Sequence, residues 1–245
     1  MNWLLQNFSN RVQFALDNPI YTLNCLYREL TLADEKFLSS ITNVSAARIR
    51  NFIGEPTQNA FFSSHLESIR AELFKLKICS ADVYAKKVLL QYAVVRAFQP
   101  RIVIETGVAN GVSSAYLLLA LQANGLGTLC SIGLDDPEFL PVGKSLGWVV
   151  PHELQSRWRL LVGDSQMILP RLLAEVSPTD IFIHDSLHTY EHMLWEFRTA
   201  YPYLRPGGLV FSDDAGWNSA FSEFTREVVS PRAKILRGVG FLQKK

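Results

Sequence analysis

Two textures of apolar and polar positions divide the chain. Over residues 1–95 apolar residues recur at helical spacing, as in "AFFSSHLESIRAELFKLKICSADVYAKKVLLQYAVVRAF", and few segments read as strands. Gly54-Glu55-Pro56 interrupts this stretch and predicts a turn between helical segments. From residue 101 short β-branched runs alternate with helical stretches. The runs are "RIVIE" (101–105), "GTLCSIGL" (127–134), "WRLLVGD" (158–164), "DIFIHD" (180–185) and "GGLVFSDD" (207–214), the last introduced by a tight turn at Pro206-Gly207-Gly208. Strands and helices in alternation predict βαβ units: an α/β fold, doubly wound on a mainly parallel sheet. The ending "AKILRGVGFLQKK" breaks the alternation and predicts a hairpin at the sheet edge, turning at Arg237-Gly238. Residues 1–95 are expected to form a helical extension making substrate or oligomer contacts, and residues 96–245 a ligand-binding domain.

Composition narrows the function without naming it. A chain of 245 residues, 48% hydrophobic and 19% charged, is long enough for one well-buried α/β domain. Lysine plus arginine (24) nearly balances aspartate plus glutamate (23), so no global field draws nucleic acid or an anionic membrane. Cys25, Cys79 and Cys130 are odd in number and far apart, which fits free thiols in a reducing, cytoplasmic setting. The start, "MNWLLQNFSNRVQFALDNP", has no basic leader pattern and no small-residue cleavage site. No apolar run is long enough to span a bilayer, so stable membrane insertion is not expected.

Candidate chemistry gathers where strands end, since open parallel sheets bind ligands beyond the carboxyl ends of their strands. The first strand runs into "ETGVANG", with Glu105, Gly107, Ala109 and Gly111. Its E-x-G-x-x-x-G spacing departs from the G-x-G-x-x-G dinucleotide fingerprint, and its carboxylate suits a cationic amine better than a pyrophosphate. An amino-acid-bearing nucleoside is favoured over NAD on that ground. Asp164 and Ser165 end the third strand, where polar groups can hold an adenine. Further on, His184, His188 and His192 are spaced by four. The strand pattern of "DIFIHD" places His184 on a strand and Asp185 at its carboxyl edge, with a helix starting around Ser186–Thr189. A three-histidine helical metal site is therefore not expected. The tips of the fourth and fifth strands should instead bring Asp185 together with Asp213 and Asp214, carboxylates that repel unless a cation sits among them. All-oxygen ligands suit Mg²⁺, or else Mn²⁺ or Ca²⁺.

The ordered set "VIETGVANGVSS", "CSIGLDDPE", "RWRLLVGDSQMILPRLL", "DIFIHDSLHTYEHM" and "LRPGGLVFSDD" resembles the class I S-adenosylmethionine-dependent methyltransferases over about residues 100–245. Within them it is most similar to the small-molecule O-methyltransferase branch that often reads D-G-D-H-S-Y-E after the fourth strand. The resemblance implies a seven-stranded sheet whose last strand is antiparallel. It implies that Glu105, Gly107 and Gly111, with Ala109 in the same turn, line the methionine end of S-adenosylmethionine, and that Asp164 and Ser165 approach the adenine. Gly133 stands where the family carries its ribose-binding carboxylate, leaving Asp135 as the nearest substitute. Asp185, Asp213 and Asp214 would hold a divalent metal that clamps the acceptor, although the pair here is Asp-Asp where catechol-type enzymes have Asp-Asn. His188 falls where relatives carry a catalytic base, and a neutral imidazole can take a hydroxyl proton.

Other readings stay open at this stage. His188 can simply pack or cap the start of its helix; Tyr190 and Glu191 can orient it. His184 is expected to be a strand residue packing against helices, and His192 has no assigned role. The loop 136–158 is expected to form a lid or substrate wall, with Trp148, His152 and Trp217 as aromatic candidates. The expected function is methylation of an oxygen on a small hydroxylated acceptor, a sugar or phenol, by a metal-assisted enzyme, with a homo-oligomer among the expected states. A metal-independent enzyme with His188 as base is the first alternative. A non-catalytic ligand-binding domain is the second, kept open by Gly133.

Overall fold

In a computed structural model the described residues are 19, 32–75, 86–136 and 140–245. Cys25, Cys79 and most of the amino-terminal stretch lie outside them. Four helices come first: α1 (Ala33–Thr42), α2 (Ala46–Gln58), α3 (Ala60–Lys75) and α4 (Lys86–Phe98). The alternation follows, with β1 (Ile102–Thr106), α5 (Val112–Asn124), β2 (Thr128–Gly133), β3 (Trp158–Val162), α6 (Ser165–Val176) and β4 (Thr179–His184). Next come α7 (Tyr190–Ala200), β5 (Leu204–Ser212), α8 (Ala220–Glu227), β6 (Ala233–Leu236) and β7 (Val239–Gln243). The seven strands lie in the order β3-β2-β1-β4-β5-β7-β6, parallel from β1 to β5, with β7 antiparallel to both its neighbours. The alternation predicts the mainly parallel sheet and its edge hairpin, and the resemblance implies the seven-stranded, Rossmann-like methyltransferase arrangement that is found.

The period of two along each strand builds the layers. Val103, Leu129, Ile181, Ile183, Leu209, Phe211 and Phe241 face one core, shared with helices α1 to α5. Their neighbours Ile104, Cys130, Phe182, Val210 and Leu242 face a second core, shared with α6, α7 and α8. Helix α5 is sandwiched between the sheet and the first four helices, which is why its run from Ser114 to Leu121 is buried all round. The amino-terminal helices therefore share a core with one face of the sheet. Cys130 is a free thiol buried on β2.

Two turn expectations fail locally. Gly54-Glu55-Pro56 does not break the chain; α2 runs through it to Gln58. Glu55 is held against α4 by Tyr92 Oη (2.8 Å) and Arg96 Nε (2.7 Å), and Pro56 is buried. Those contacts outweigh the single backbone bond that the proline forgoes. The break comes at Asn59, whose side chain caps α3 by accepting from Phe62 N at 3.0 Å. Pro206-Gly207-Gly208 likewise lies within β5, at a shift in its pairing with β4, instead of preceding the strand. The Arg237-Gly238 turn is as expected: φ of 53° and 90° at the two positions match the hairpin turns whose twist suits paired strands.

Gly240 marks where β7 presses on α8. A Cβ at this position would stand 2.6 Å from the ring of Phe221, which is itself fully packed. Gly240→Ala is expected to cost about 1–3 kcal/mol by overpacking. Urea unfolding measures it, and an unchanged midpoint would show that the β7–α8 joint has slack.

Candidate functional site

β1 lies between β2 and β4, so the chain leaves it in opposite directions and a crevice opens at its carboxyl end. The turn beyond β1 has left-handed backbone at Gly107 (φ 86°), Ala109 (φ 42°) and Gly111 (φ 87°). Such alternation turns successive N–H groups toward one side, and no side chain caps the start of α5 at Gly111. Ala109 is the exposed apex. Gly107 is required by packing: a Cβ there would lie 1.7 Å from the Asp185 carbonyl oxygen. The strand ends are stitched further by Gly107 N to Ile132 O, Asp185 N to Thr106 O and Asp213 N to His184 O, each 2.8 Å.

Glu105 sits under this turn, fully buried. Its carboxylate accepts from Ser113 Oγ (2.7 Å), Ser114 Oγ (2.6 Å) and Ser131 Oγ (2.8 Å), and Ser131 in turn accepts from Trp158 Nε1 at 2.9 Å. Burial pushes its pKa up, and the three hydroxyls pull against that shift. Glu105 thus braces β1, β2 and α5 from within. At Gly133 an added Cβ would meet the Leu146 and Val108 side chains at 3.1 Å, so a side chain there would require those neighbours to shift by a few tenths of an ångström. Asp135 is exposed two residues beyond. Asp164 is also exposed and caps α6 through Gln166 N at 2.8 Å, while Ser165 is buried and bonded to His192.

The loop after β2 lies against the turn. Gly147 N donates to Ala109 O (2.9 Å), Val149 N to Asn110 O (3.0 Å) and Trp148 Nε1 to Asn110 Oδ1 (2.7 Å). Trp148 is therefore part of a pinned wall. His152 is exposed on a short 3-10 turn, and Trp217 is 74% exposed.

The histidines divide at the strand–helix boundary, as the sequence pattern predicts. Thr189 caps α7, and His184 ends β4. What the sequence did not reveal is Glu196, fully buried on α7. It accepts from His184 Nδ1 (2.7 Å), His192 Nε2 (3.0 Å), Thr106 Oγ1 (2.6 Å) and Ser186 Oγ (2.9 Å). Burial alone would raise its pKa, but these bonds and the His184 imidazole more than offset burial and hold it well below the ordinary carboxylate range. His192, left without a role, bridges Glu196 to Ser165 and Ser186, each 3.2 Å away. Tyr190 and Glu191 do not orient His188. The Tyr190 hydroxyl donates to Glu223 on α8 at 2.7 Å, and Glu191 points to solvent.

Above this network, ligand atoms of Asp185, His188 and Asp213 all lie within 4.8 Å of one another. Asp214 is not in this group: its left-handed backbone (φ 44°) begins the turn away from β5, and His188 takes the third position. His188 Nε2 stands 3.9 Å from Asp185 Oδ1 and, like the buried Asp213 Oδ1, has no hydrogen-bond partner among the described residues. Desolvation and the Asp213 charge push Asp185 well above its usual range, and desolvation and His184 pull His188 below its own. Two crowded acids beside a neutral imidazole, with unfilled ligand atoms, fit a hard divalent cation. The second unforeseen residue is Lys87 on α4, whose ammonium donates to Asp213 Oδ2 at 2.6 Å. No local pattern in "YAKKVLL" announces a partner 126 positions away. Glu196 left a fainter signal, being the one acid on the inward face of an amphipathic helix.

Residues 104–215 match the family model described as a methyltransferase domain. Demethylmacrocin O-methyltransferase of Streptomyces fradiae is 35% identical over 75 residues, 30% of this chain and 19% of the relative, so the chain spans about a fifth of that protein's length. Among solved structures, the O-methyltransferase TomG of Streptomyces achromogenes, in complex with SAM, superposes with a TM-score of 0.56 at 19% identity, covering 77% of this chain and 96% of the other. The O-methyltransferase from Bacillus cereus, in complex with SAH, gives 0.53 at 14% identity, covering 80% and 100%. Sheet order and family match agree: residues 104–215 match a methyltransferase domain, and the chain has the Rossmann-like methyltransferase fold of these solved structures. No helix among the described residues is long and apolar enough to cross a membrane.

Glu196 yields a prediction on stability. Its folded pKa is depressed, so its contribution is present above the unfolded value of 4.5 and is lost as pH falls below it. Glu196→Gln should cost about 3 kcal/mol near neutrality, as expected for breaking a buried pair. The gap from wild type should narrow on acidification. A gap that is constant across denaturant titrations at several pH values would mean that the carboxylate charge is not what the network uses.

Proposed function

We propose that the protein transfers the methyl group of S-adenosylmethionine to a hydroxyl oxygen of a small acceptor, a sugar or a phenol, with a divalent cation at the acid cluster. One observation carries this reading. The turn suited to the methionine end of the cofactor is in backbone contact, through Gly107 and Asp185, with the cluster of Asp185, His188 and Asp213. Methyl donor and acceptor would thus meet across one joint. The likeness to demethylmacrocin O-methyltransferase supports oxygen as the receiving atom.

On this reading residues 96–245 form the cofactor domain and the amino-terminal helices the acceptor side. The N–H groups of Val108, Ala109 and Asn110 in the turn receive the cofactor carboxylate, with Glu105 bracing the turn from below. Asp135 takes the ribose hydroxyls in place of the missing acid at Gly133, and Asp164 with Ser165 borders the adenine. Asp185 and Asp213 hold the cation, and Asp214 adds its charge from one residue further. A divalent ion there would neutralise the acids and lower the pKa of an acceptor hydroxyl. His188 takes the hydroxyl proton at Nε2 as the oxygen forms its bond to the methyl carbon and the carbon–sulfur bond breaks. The other contribution of the protein is alignment of the two reactants.

Three measurements test the reading. S-adenosylhomocysteine should bind in isothermal titration, and its failure to bind removes the proposal. His188→Ala should lower kcat by about 10²–10⁴-fold, the range of general base catalysis. Because burial holds the pKa of His188 below its ordinary value, the imidazole becomes neutral at lower pH than a free one. In wild type kcat/KM should therefore rise with pH and level off before neutrality; a limb that continues to rise well above neutral pH points to another base. A metal-free enzyme is the second reading, favoured by the Lys87 ammonium on Asp213. EDTA should abolish turnover and Mg²⁺ restore it, whereas turnover untouched by EDTA selects the metal-free version.

A further inference from the structure

Lys87 belongs to none of the motifs above, yet it is the cation that the acid cluster already has. Helix α4 brings its first turn to the ends of β4 and β5, 126 residues before Asp213 in the chain. The ammonium donates to Asp213 Oδ2 at 2.6 Å and interacts electrostatically with Asp185 and Asp214 as well. Asp213 is almost fully buried, with one oxygen taken by Lys87 and the other, Oδ1, without a partner. The Lys87 side chain itself is 38% exposed, on a long flexible stem that can swing into solvent.

We propose that Lys87 is a tethered competitor for the divalent cation, paired with Asp213 when the ion is absent and displaced or pushed aside when it binds. The argument is one of space and sign. A Mg²⁺ ion approaches a carboxylate oxygen to about 2.0–2.1 Å. An ion on Oδ2 would therefore be nearly in contact with an ammonium that holds the same atom. An ion on Oδ1 alone would bind beside an unscreened like charge. Either way the lysine lowers the affinity of the site for the ion. In return it keeps two crowded carboxylates compensated, and the strand ends in place, when no ion is bound. The amino-terminal helices then do more than wall the acceptor: they set how readily the acid cluster takes up metal.

This inference rests on the acid cluster being a cation site, and its test reads metal binding without turnover. Mn²⁺ is titrated into the full-length wild type, Lys87→Arg and Lys87→Met in mildly alkaline buffer, where protons do not compete for the carboxylates, and free Mn²⁺ is followed by electron paramagnetic resonance. Lys87→Met should bind Mn²⁺ at least about tenfold more tightly, the scale on which one neighbouring charge shifts a site. Lys87→Arg, which keeps the charge, should stay close to wild type. Equal affinity in Lys87→Met and wild type, or no Mn²⁺ binding by any of the three, overturns the proposal. Should Lys87→Met fail to fold, wild type with ¹³C-dimethylated lysines gives the answer. The Lys87 signal, identified by its absence in Lys87→Arg, should shift on addition of Mg²⁺, and an unmoved signal overturns the proposal. S-adenosylhomocysteine titration of the same wild-type sample keeps the two readings apart. Cofactor binding without the Lys87 effect removes only this inference, and loss of cofactor binding removes the methyltransferase reading.

Discussion

A carboxylate taken out of water must be met by donors or by a cation, and the carboxyl edge of this sheet has to solve that problem several times in a small space. Each solution is different. Glu105 is met by three serine hydroxyls, Glu196 by two imidazoles and two hydroxyls, and Asp213 by an ammonium. The solutions are ranked by how mobile the compensating group is. Hydroxyls on α5 and β2 are fixed by their elements, and the imidazoles are fixed by packing between β4 and α7. Only the lysine can leave. The rigid acids lie beneath the surface, and the replaceable compensation is at the mouth, where chemistry would take place.

The same donors tie together elements that backbone hydrogen bonds leave separate. Glu105 links β1 to β2 and to α5, and Glu196 links β1, β4 and α7 and, through His192, reaches the start of α6. The turn beyond β1 thus hangs on the Glu105 network, and the loop beyond β4 and the helix start beyond β3 on the Glu196 network. Partly satisfied networks of this kind are costly, and fully satisfied ones rigidify a site. Among the described residues His184 Nε2 is buried without a partner inside this polar framework, and the unpartnered Nε2 of His188 and Oδ1 of Asp213 lie close together at its edge, where the framework gives way to a place for a ligand.

Much of the fold was legible because strand burial writes itself as β-branched runs and because Arg237-Gly238 can only be a tight hairpin turn. The ordering of His184 and His188 across a strand–helix boundary followed from the same patterns. The site was legible to the extent that its residues sit at strand ends. Asp185 and Asp213 could be placed together by topology alone, whereas His188 entered only through the family resemblance, as a base. Asp214 could not be separated from Asp213, because a single left-handed residue redirects it and aspartate gives no warning of that conformation. Gly54-Glu55-Pro56 misled because tertiary contacts from Glu55 to α4 override a local breaker. Lys87 and the ring of donors around Glu196 are non-local partnerships, and hydrophobic periodicity carries no information about which polar groups will meet.

The contact between Gly107 and Asp185 joins backbone to backbone, with no side chain between them. A joint made of side chains loosens whenever a rotamer changes, on the timescale of nanoseconds. This one has no torsion of that kind to change. Whatever the two loops hold is kept in mutual position by the stiffness of the peptide chain itself, so thermal motion of the surrounding side chains passes by the joint without opening it.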